Sequence, residues 1–246
     1  MLDRVAHSAL DWWVEAGVDV LVDDGTRNWL APAPDAASVR GIATAPDTAA
    51  ALTEAPPAIL APAAAPALPN DLAGLRAWLL TDAGLPGSPA ARIDALGDSA
   101  HGSVVVVDMP EAEDRAAGTL MSGDVGALFD RMLGAMNLGR DRIYMLPFAP
   151  ARPAGGRIAE ADAHRLADLL RHHLMLAKPR RLLLLGDAPV RALTGKPLLQ
   201  TRDAVHQIAL ADGTVPAVAT FHPRIVHARP DYRQQTWADL QRFMAL

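Results

Sequence analysis

The sequence predicts an α/β fold in three layers: a central, four-stranded, mainly parallel sheet flanked by helices on both faces. Short apolar runs rich in branched side chains alternate with longer segments whose apolar residues recur at helical spacing. Half of the 246 residues are hydrophobic, which is enough for one sizeable core. The predicted strands are 103–107, 142–146, 181–185 and 215–220.

The segments between and after these strands have helical periodicity. The predicted helices are one that begins near Asn70, followed by 124–137, 160–178, 188–193 and 232–245. Alternation of strands and helices favours right-handed crossovers and a parallel sheet, and ligands of such sheets bind at the carboxyl ends of the strands. We therefore expect the functional site in the loops that leave those ends, at 108–123, 147–157, 186–189 and 221–229.

Composition divides the chain into three parts. Residues 1–30 predict a helical lead-in, in which Trp12 and Trp13 suit docking, most simply on the chain's own core. Residues 31–69 are dominated by Ala and Pro and have little to bury, so we interpret them as a semi-rigid linker. Residues 70–246 form the predicted α/β domain.

The charge balance excludes a uniformly basic nucleic-acid binder, because the formal net charge is −5. Arginines nevertheless cluster between residues 140 and 180, so a local basic face is expected. The chain contains no cysteine, which excludes disulfides, thiolate zinc sites and cysteine-ligated iron–sulfur clusters.

Other classes are disfavoured by what the sequence lacks. No spacing of His, Asp and Glu is typical of a metal site, and we expect neither a metal nor another cofactor. No secretory signal is recognisable, and the apolar runs are too short to cross a bilayer. We expect a monomeric cytoplasmic protein without membrane contacts.

Three kinds of residue in the loops are candidates for chemistry. Asp108 and His222 each follow a buried strand closely, where a carboxylate can activate water and an imidazole can contact a ligand. Either residue can equally be structural, as a cap or a satisfied polar side chain. Arg152 and Arg157 lie on a loop rich in Pro and Gly and suit either phosphate contacts or surface salt bridges.

Taken in order, these pieces resemble the uracil-DNA glycosylase superfamily, most closely its iron–sulfur branch, family 4. That branch carries, in sequence, G-E-A-P-G, G-x-P-F-V-G-x-x-G-x-L-L-D, R-P-P-G-N-R, K-P before a strand ending in L-G, Y-H-P, and a terminal W-x-D-L. The matching segments here are 107–111, 118–130, 152–157, 178–179, 185–186, 221–223 and 237–240. The resemblance covers about residues 70–246, and it depends on the order of the motifs because none of them is specific alone.

The resemblance implies an enzyme that flips a base out of DNA, since the glycosidic bond cannot be reached inside the stack. It implies that His222 donates to the base oxygen as negative charge develops, and that Asp108 lies near the sugar. The implied base pocket comprises Met109, Pro110, Met121, Pro147 and Phe148. The implied DNA contacts are Arg152, Arg157, His206 and Arg224.

Several positions depart from the family pattern. Met121 stands where a phenylalanine stacks on the base, and it offers no π face. Pro147 stands at the asparagine that reads uracil, and it has neither a polar side chain nor a backbone N–H. Ala151 and a residue near Ala167 replace two cluster cysteines. The cluster is therefore expected to be absent and the specificity to be altered or weakened.

Three functional hypotheses follow. The first is a DNA base-excision glycosylase that acts on a flipped deaminated base with altered or weakened specificity. The second is a catalytically degenerate DNA-binding module of the same fold. The third is a scaffold that contacts a protein partner through the Trp12 and Trp13 segment and the linker.

Overall fold

The computed structural model describes residues 68–246. The predicted N-terminal helix, and the predicted linker except Leu68 and Pro69, lie outside the described residues. The strands are β1 (Leu96–Gly97), β2 (Ser103–Val107), β3 (Tyr144–Pro147), β4 (Arg181–Leu185), β5 (Val205–Leu210) and β6 (Gly213–Thr220). The helices are α1 (Leu72–Thr81), α2 (Asp114–Ala117), α3 (Gly123–Ala135), α4 (Glu160–Ala177), α5 (Asp187–Thr194), α6 (Leu198–Thr201), α7 (Pro223–Ala228) and α8 (Arg233–Met244).

The described strands form one mixed sheet in the order β1-β3-β2-β4-β6-β5. The four middle strands are mutually parallel, and the edge strands β1 and β5 pair antiparallel with their neighbours. Because parallel strands end on the same side, the loops after β2, β3, β4 and β6 meet at one edge of the sheet.

Two hydrophobic cores cover the two faces of the sheet, because side chains alternate along each strand. Val104 and Val106 face the core that contains buried residues of α4 and α5. Val105 and Val107 face the other core, with residues of α3 and α8. The three-layer α/β arrangement predicted from the sequence is therefore present.

The sheet has six described strands rather than the predicted four. β1 is only two residues long, too short to produce a periodic signal. β5 is not among the predicted strands, although its burial alternates and it joins β6 through a tight hairpin, in which Leu210 pairs with Gly213. The Asp-Gly pair at 212–213 is a hairpin signal that could have revealed it.

The predicted strand 142–146 is shifted in the structure, where β3 runs from Tyr144 to Pro147. Arg142 belongs to a 3-10 turn that precedes the strand. Pro147 can end this strand because β1 pairs only with Tyr144 and Met145, so no edge partner needs its missing N–H. Phe148 N then donates to Val107 O and extends the contact with β2.

The last helix is fixed to the strand that leads into His222. Asp239 of α8 is fully buried and accepts hydrogen bonds from Thr220 Oγ1 at 2.8 Å, Arg202 Nη2 at 2.8 Å and Arg242 Nη1 at 2.8 Å. A carboxylate satisfied in this way holds the helix against the end of β6. This contact accounts for the aspartate in the terminal W-x-D-L segment.

Candidate functional site

Asp108 and His222 lie along the same carboxyl edge of the sheet, after strands β2 and β6, which are separated by β4. Asp108 follows β2, Gly186 follows β4, and His222 comes two residues after the end of β6. A Cβ on Gly186 would lie 2.0 Å from Asp108 Oδ1, and Gly186 has a φ of +99°. Only glycine therefore allows the carboxylate to lie across the end of β4.

An ion-pair cluster, consisting of Asp108, Glu111, Arg152 and Arg224, connects these loops. Arg224 Nη2 lies 3.1 Å from Asp108 Oδ2, and Arg224 Nη1 donates to Glu111 Oε1. Arg152 Nη1 lies 3.9 Å from Glu111 Oε2 and donates to Pro110 O at 3.3 Å. One guanidinium thus bridges the two carboxylates of the β2 loop.

Burial raises the pKa of Asp108 to about 6, against the opposing effect of the Arg224 charge. Its Oδ1 is buried and has no hydrogen-bond partner. At neutral pH this carboxyl is mostly ionised, with one oxygen paired and the other free to accept a hydrogen bond from a ligand.

His222 is buried and serves as the N-cap of α7, where its Nδ1 accepts a hydrogen bond from Arg224 N at 3.1 Å. Burial, and then the positive charges of Arg224 and Arg152, keep its pKa well below the ordinary value. Although Nδ1 lies 3.7 Å from Glu111 Oε1, the neutral ring forms no ion pair there. Because Nδ1 accepts, the ring proton resides on Nε2.

The Nε2 atom of His222 is buried and unpartnered, as is Oδ1 of Asp108. Such atoms are rare in folded proteins, and each one costs free energy unless a ligand or water satisfies it. One is a donor and the other an acceptor. Within residues 68–246 only Arg92 Nε shares this condition, and Arg92 bonds to Leu79 O and Leu85 O outside the strand-end loops.

Asp114 fixes the conformation of the loop after β2 through hydrogen bonds, a role that was not predicted from the sequence. Its buried carboxylate accepts from the backbone N–H groups of Glu111, Met121 and Ser122 and from Ser122 Oγ. Met121 adopts a φ of +55° at this point. Asp114 therefore positions Glu111 beneath Arg224.

A cleft of about 750 Å³ opens beside Asp108, between α4, α5 and the loop after β3. The residues that line it are Asp108, Met109, Phe148, Gly156, Arg157, Ile158, Glu160, Ala163, His164, Ala167, Asp187, Ala188, Arg191 and Ala192. His222 is not among the residues that line this cleft.

The predicted base-pocket residues are divided by the structure. Met109 and Phe148 line the cleft with Asp108, as the pocket prediction requires. Met121 is 2% exposed and packs in the core on the other face of the sheet. Pro110 is buried beneath Arg152, while Pro147 lines a separate small cavity of about 20 Å³. The structure therefore does not bring these five residues into one cavity.

The predicted DNA-contact residues also differ in their availability. Arg157 is exposed and makes no ion pair with any described residue. Arg152 and Arg224 are half-buried and engaged in the ion-pair cluster. His206 lies on edge strand β5, where its Nε2 is 2.6 Å from Thr201 O.

Sequence reasoning missed three residues of this region. Glu111 lies in the motif segment 107–111 without a predicted role, yet its carboxylate joins Arg224 and Arg152. Asp187 and Arg191 line the cleft and pair with each other across one turn of α5. Their i, i+4 spacing was a visible signal, but it is equally typical of any exposed helix.

Among residues 68–246, no group of His, Asp and Glu is arranged to hold a metal ion. No helix in the same part of the chain is long and apolar enough to cross a membrane.

A comparison with curated proteins found no match. The family model for the uracil DNA glycosylase superfamily matches residues 97–241, which is more than half of the chain. The matched span runs from β1 into α8 and includes Asp108, the ion-pair cluster and His222. The chain belongs to the uracil DNA glycosylase superfamily.

Proposed function

We propose that this chain is a DNA N-glycosylase that hydrolyses the bond between a flipped deaminated base and its deoxyribose, with altered or weakened specificity. The proposal is supported chiefly by one observation. A buried acceptor on Asp108 and a buried donor on His222 lack partners; Asp108 belongs to the ion-pair cluster, and His222 Nδ1 lies 3.7 Å from Glu111 Oε1 of the same cluster. The order of the sequence motifs supports a place near the iron–sulfur branch, without cysteine ligands.

Each residue has a defined role in this reaction. The neutral His222 ring donates its Nε2 proton as a hydrogen bond to a base carbonyl, where negative charge develops as the C1′–N bond breaks. The Asp108 carboxylate stabilises the positive charge that develops on the sugar and orients water. The water oxygen then bonds to C1′, and a water proton finally neutralises the departing base.

The altered specificity follows from two side chains. Pro147 offers no amide to read the base, and losing such a contact costs on the order of 10²-fold in discrimination. Met121 is buried in the core and offers no ring for stacking, a contact worth about 1–3 kcal/mol. We therefore expect activity on more than one deaminated base.

The surface near His222 supports base flipping. Ile225 is 38% exposed in the first turn of α7, and the exposed residues His227 and Arg229 follow it. Apolar side chains beside cations can wedge into a base step while the cations contact phosphates. In this proposal Ile225 fills the gap that a flipped base leaves.

The direct test is incubation with a single-stranded oligonucleotide that contains one uracil, followed by alkaline cleavage at abasic sites. Cleavage is expected for the wild type and for His101→Ala, an exposed control histidine that precedes β2, but not for His222→Ala. Oligonucleotides that contain hypoxanthine or xanthine extend the panel. If no base in the panel is released, the glycosylase proposal is wrong.

A second candidate, the catalytically degenerate DNA-binding module, is favoured by a different observation. His222 is only 1% exposed, and Arg224 already occupies one oxygen of Asp108. If this alternative is correct, DNA binding weakens as the salt concentration rises, and the slope of log K against log salt concentration corresponds to a few neutralised phosphates. No base is released from the DNA. Arg157→Ala should then weaken binding to every DNA sequence equally. The cytoplasmic location, the monomeric state and the roles of residues 1–69 remain predictions.

A further inference from the structure

The two edges of the described sheet differ in how much unpaired backbone they present. The N–H and C=O groups along an exposed edge strand bind a further strand readily, and short edge strands limit this pairing. β1, at one edge, is only two residues long. β5, at the opposite edge, is six residues long. The β5 edge is therefore the one on which another strand can be added.

The backbone groups on the outer side of β5 follow from its hairpin with β6. The two strands pair in continuous register, without a bulge, and the pair of Leu210 with Gly213 closes a two-residue turn. Such a closing pair is hydrogen-bonded, and hydrogen-bonded pairs then alternate along the strand. The N–H and C=O groups of Val205, Gln207 and Ala209 therefore point away from β6. No backbone group elsewhere in the described part of the chain bonds to them.

The side chains of β5 lack the features that usually prevent pairing at an edge. The strand V-H-Q-I-A-L contains no Lys, Arg, Asp, Glu or Pro. The side chains of Val205, Gln207 and Ala209 share one face and are all exposed. Leu199, at 76%, and Val205, at 43%, are the two most exposed large hydrophobic side chains among residues 68–246. The edge is thus uncharged and has apolar surface beside it.

We propose that β5 of one copy of this chain pairs antiparallel with β5 of a second copy, so that the two sheets become continuous across a two-fold axis. An uncharged strand suits its own copy, because two identical edges then meet without like-charge repulsion. The axis passes through Gln207, since only this register pairs all three outward-facing residues. Gln207 lies opposite its own copy and Val205 lies opposite Ala209, and each of these pairs exchanges two hydrogen bonds.

The inference does not depend on the proposed function, and it differs from the monomeric state expected from the sequence. Sedimentation equilibrium of the full chain, at concentrations up to about 100 μM, decides between the two states. A dimer is expected, and its fraction should not fall as the salt concentration rises, because no ion pair holds the two edges together. The mass of a monomer at every concentration would overturn the proposal.

Opposite charges at Gln207 test the position of the axis. Gln207→Lys alone, or Gln207→Glu alone, places two like charges opposite each other and should weaken the dimer by at least about tenfold. A mixture of the two variants should dimerise again, because unlike charges then meet. Gln234→Lys, an exposed control on α8, should dimerise like the wild type. A dimer that neither charge at Gln207 weakens, or that mixing does not restore, would overturn the pairing.

A single introduced cysteine gives an independent test, because the chain contains none. Residues opposite each other in a hydrogen-bonded antiparallel pair have Cα atoms about 5.5 Å apart, a separation that a disulfide can span. Gln207→Cys should therefore form a covalent dimer under mild oxidation, seen on a non-reducing denaturing gel. Gln234→Cys should not. A folded Gln207→Cys variant that dimerises without cross-linking would overturn the pairing through β5.

Discussion

Asp108 and Asp239 are both buried aspartates, but their surroundings differ. Asp239 has hydrogen bonds to both carboxylate oxygens, from Thr220, Arg202 and Arg242. Asp108 has one oxygen paired with Arg224 and the other without a partner. A fully satisfied acid stabilises the fold, while a partly satisfied acid has capacity left for a ligand. The two buried aspartates therefore differ in whether a carboxylate oxygen remains without a hydrogen-bond partner.

The largest expected effect is on stability at Asp239. Asp239→Ala leaves two guanidinium groups and a buried hydroxyl without their acceptor, so the free energy of unfolding should fall by about 3–5 kcal/mol. Asp108→Asn should change it by less than about 1 kcal/mol, because the substitution also removes the cost of a buried charge. Urea denaturation measures both, with the exposed Asp231→Ala as the control. Equal losses at the two buried aspartates would contradict the comparison.

A second contrast concerns two buried histidines. His173 Nε2 lies 2.8 Å from Tyr144 Oη, whereas His222 Nε2 has no partner. Burial lowers the pKa of His173 to about 4. The unfolded chain therefore binds the proton more tightly, and stability from this residue is present above pH 6.5 and lost as the pH falls toward 4.

The size of that loss is about 3 kcal/mol, because each pKa unit corresponds to 1.36 kcal/mol. His173→Gln keeps a hydrogen-bonding group for Tyr144 but does not titrate. Urea denaturation from pH 7 to pH 4 should show a shallower decline for this variant. An unchanged decline would mean that other groups cause the acid sensitivity.

A substitution at Gly186 tests whether the position of the Asp108 carboxyl group depends on the absence of a side chain at residue 186. Gly186→Ala requires an unfavourable positive φ and places Cβ 2.0 Å from Oδ1. We expect about 1–3 kcal/mol of destabilisation and loss of base release. Gly134→Ala on α3 meets nothing within 4 Å and should stabilise the chain by up to about 1 kcal/mol. Melting temperatures and cleavage of the uracil oligonucleotide check both variants.

The smallest expected effect is a change in how the single-turnover rate of base release depends on pH. Because the pKa of Asp108 is about 6, a reaction that needs its ionised form should slow as the pH falls below that value. Asp108→Asn should be slower at every pH and should lack this acid limb. Single-turnover rates between pH 5 and pH 8 measure it. An acid limb that persists in the variant would assign the titration to another group.

The sequence predicts the parallel centre of the sheet well, because buried strands such as 103–107 and 181–185 are continuous apolar runs. It also predicts that Asp108 and His222 lie at the same edge, since both follow parallel strands. It does not predict that Met121 lies in a core instead of the pocket, because loop residues have no periodicity that assigns them to a face. Nor does it reveal Glu111, whose role depends on contacts with Arg224 and Arg152, which are distant in the sequence.

The Asp239 contact with Thr220 has a practical consequence for handling the protein. Strand β6, which precedes His222, is held by a hydrogen bond from Thr220 to Asp239 of helix α8. Shortening α8 would remove this contact and disturb the position of His222. Variants trimmed within 233–246 should therefore show disturbed activity even though the deleted residues lie outside the cleft. Affinity tags are better attached without deleting any part of α8.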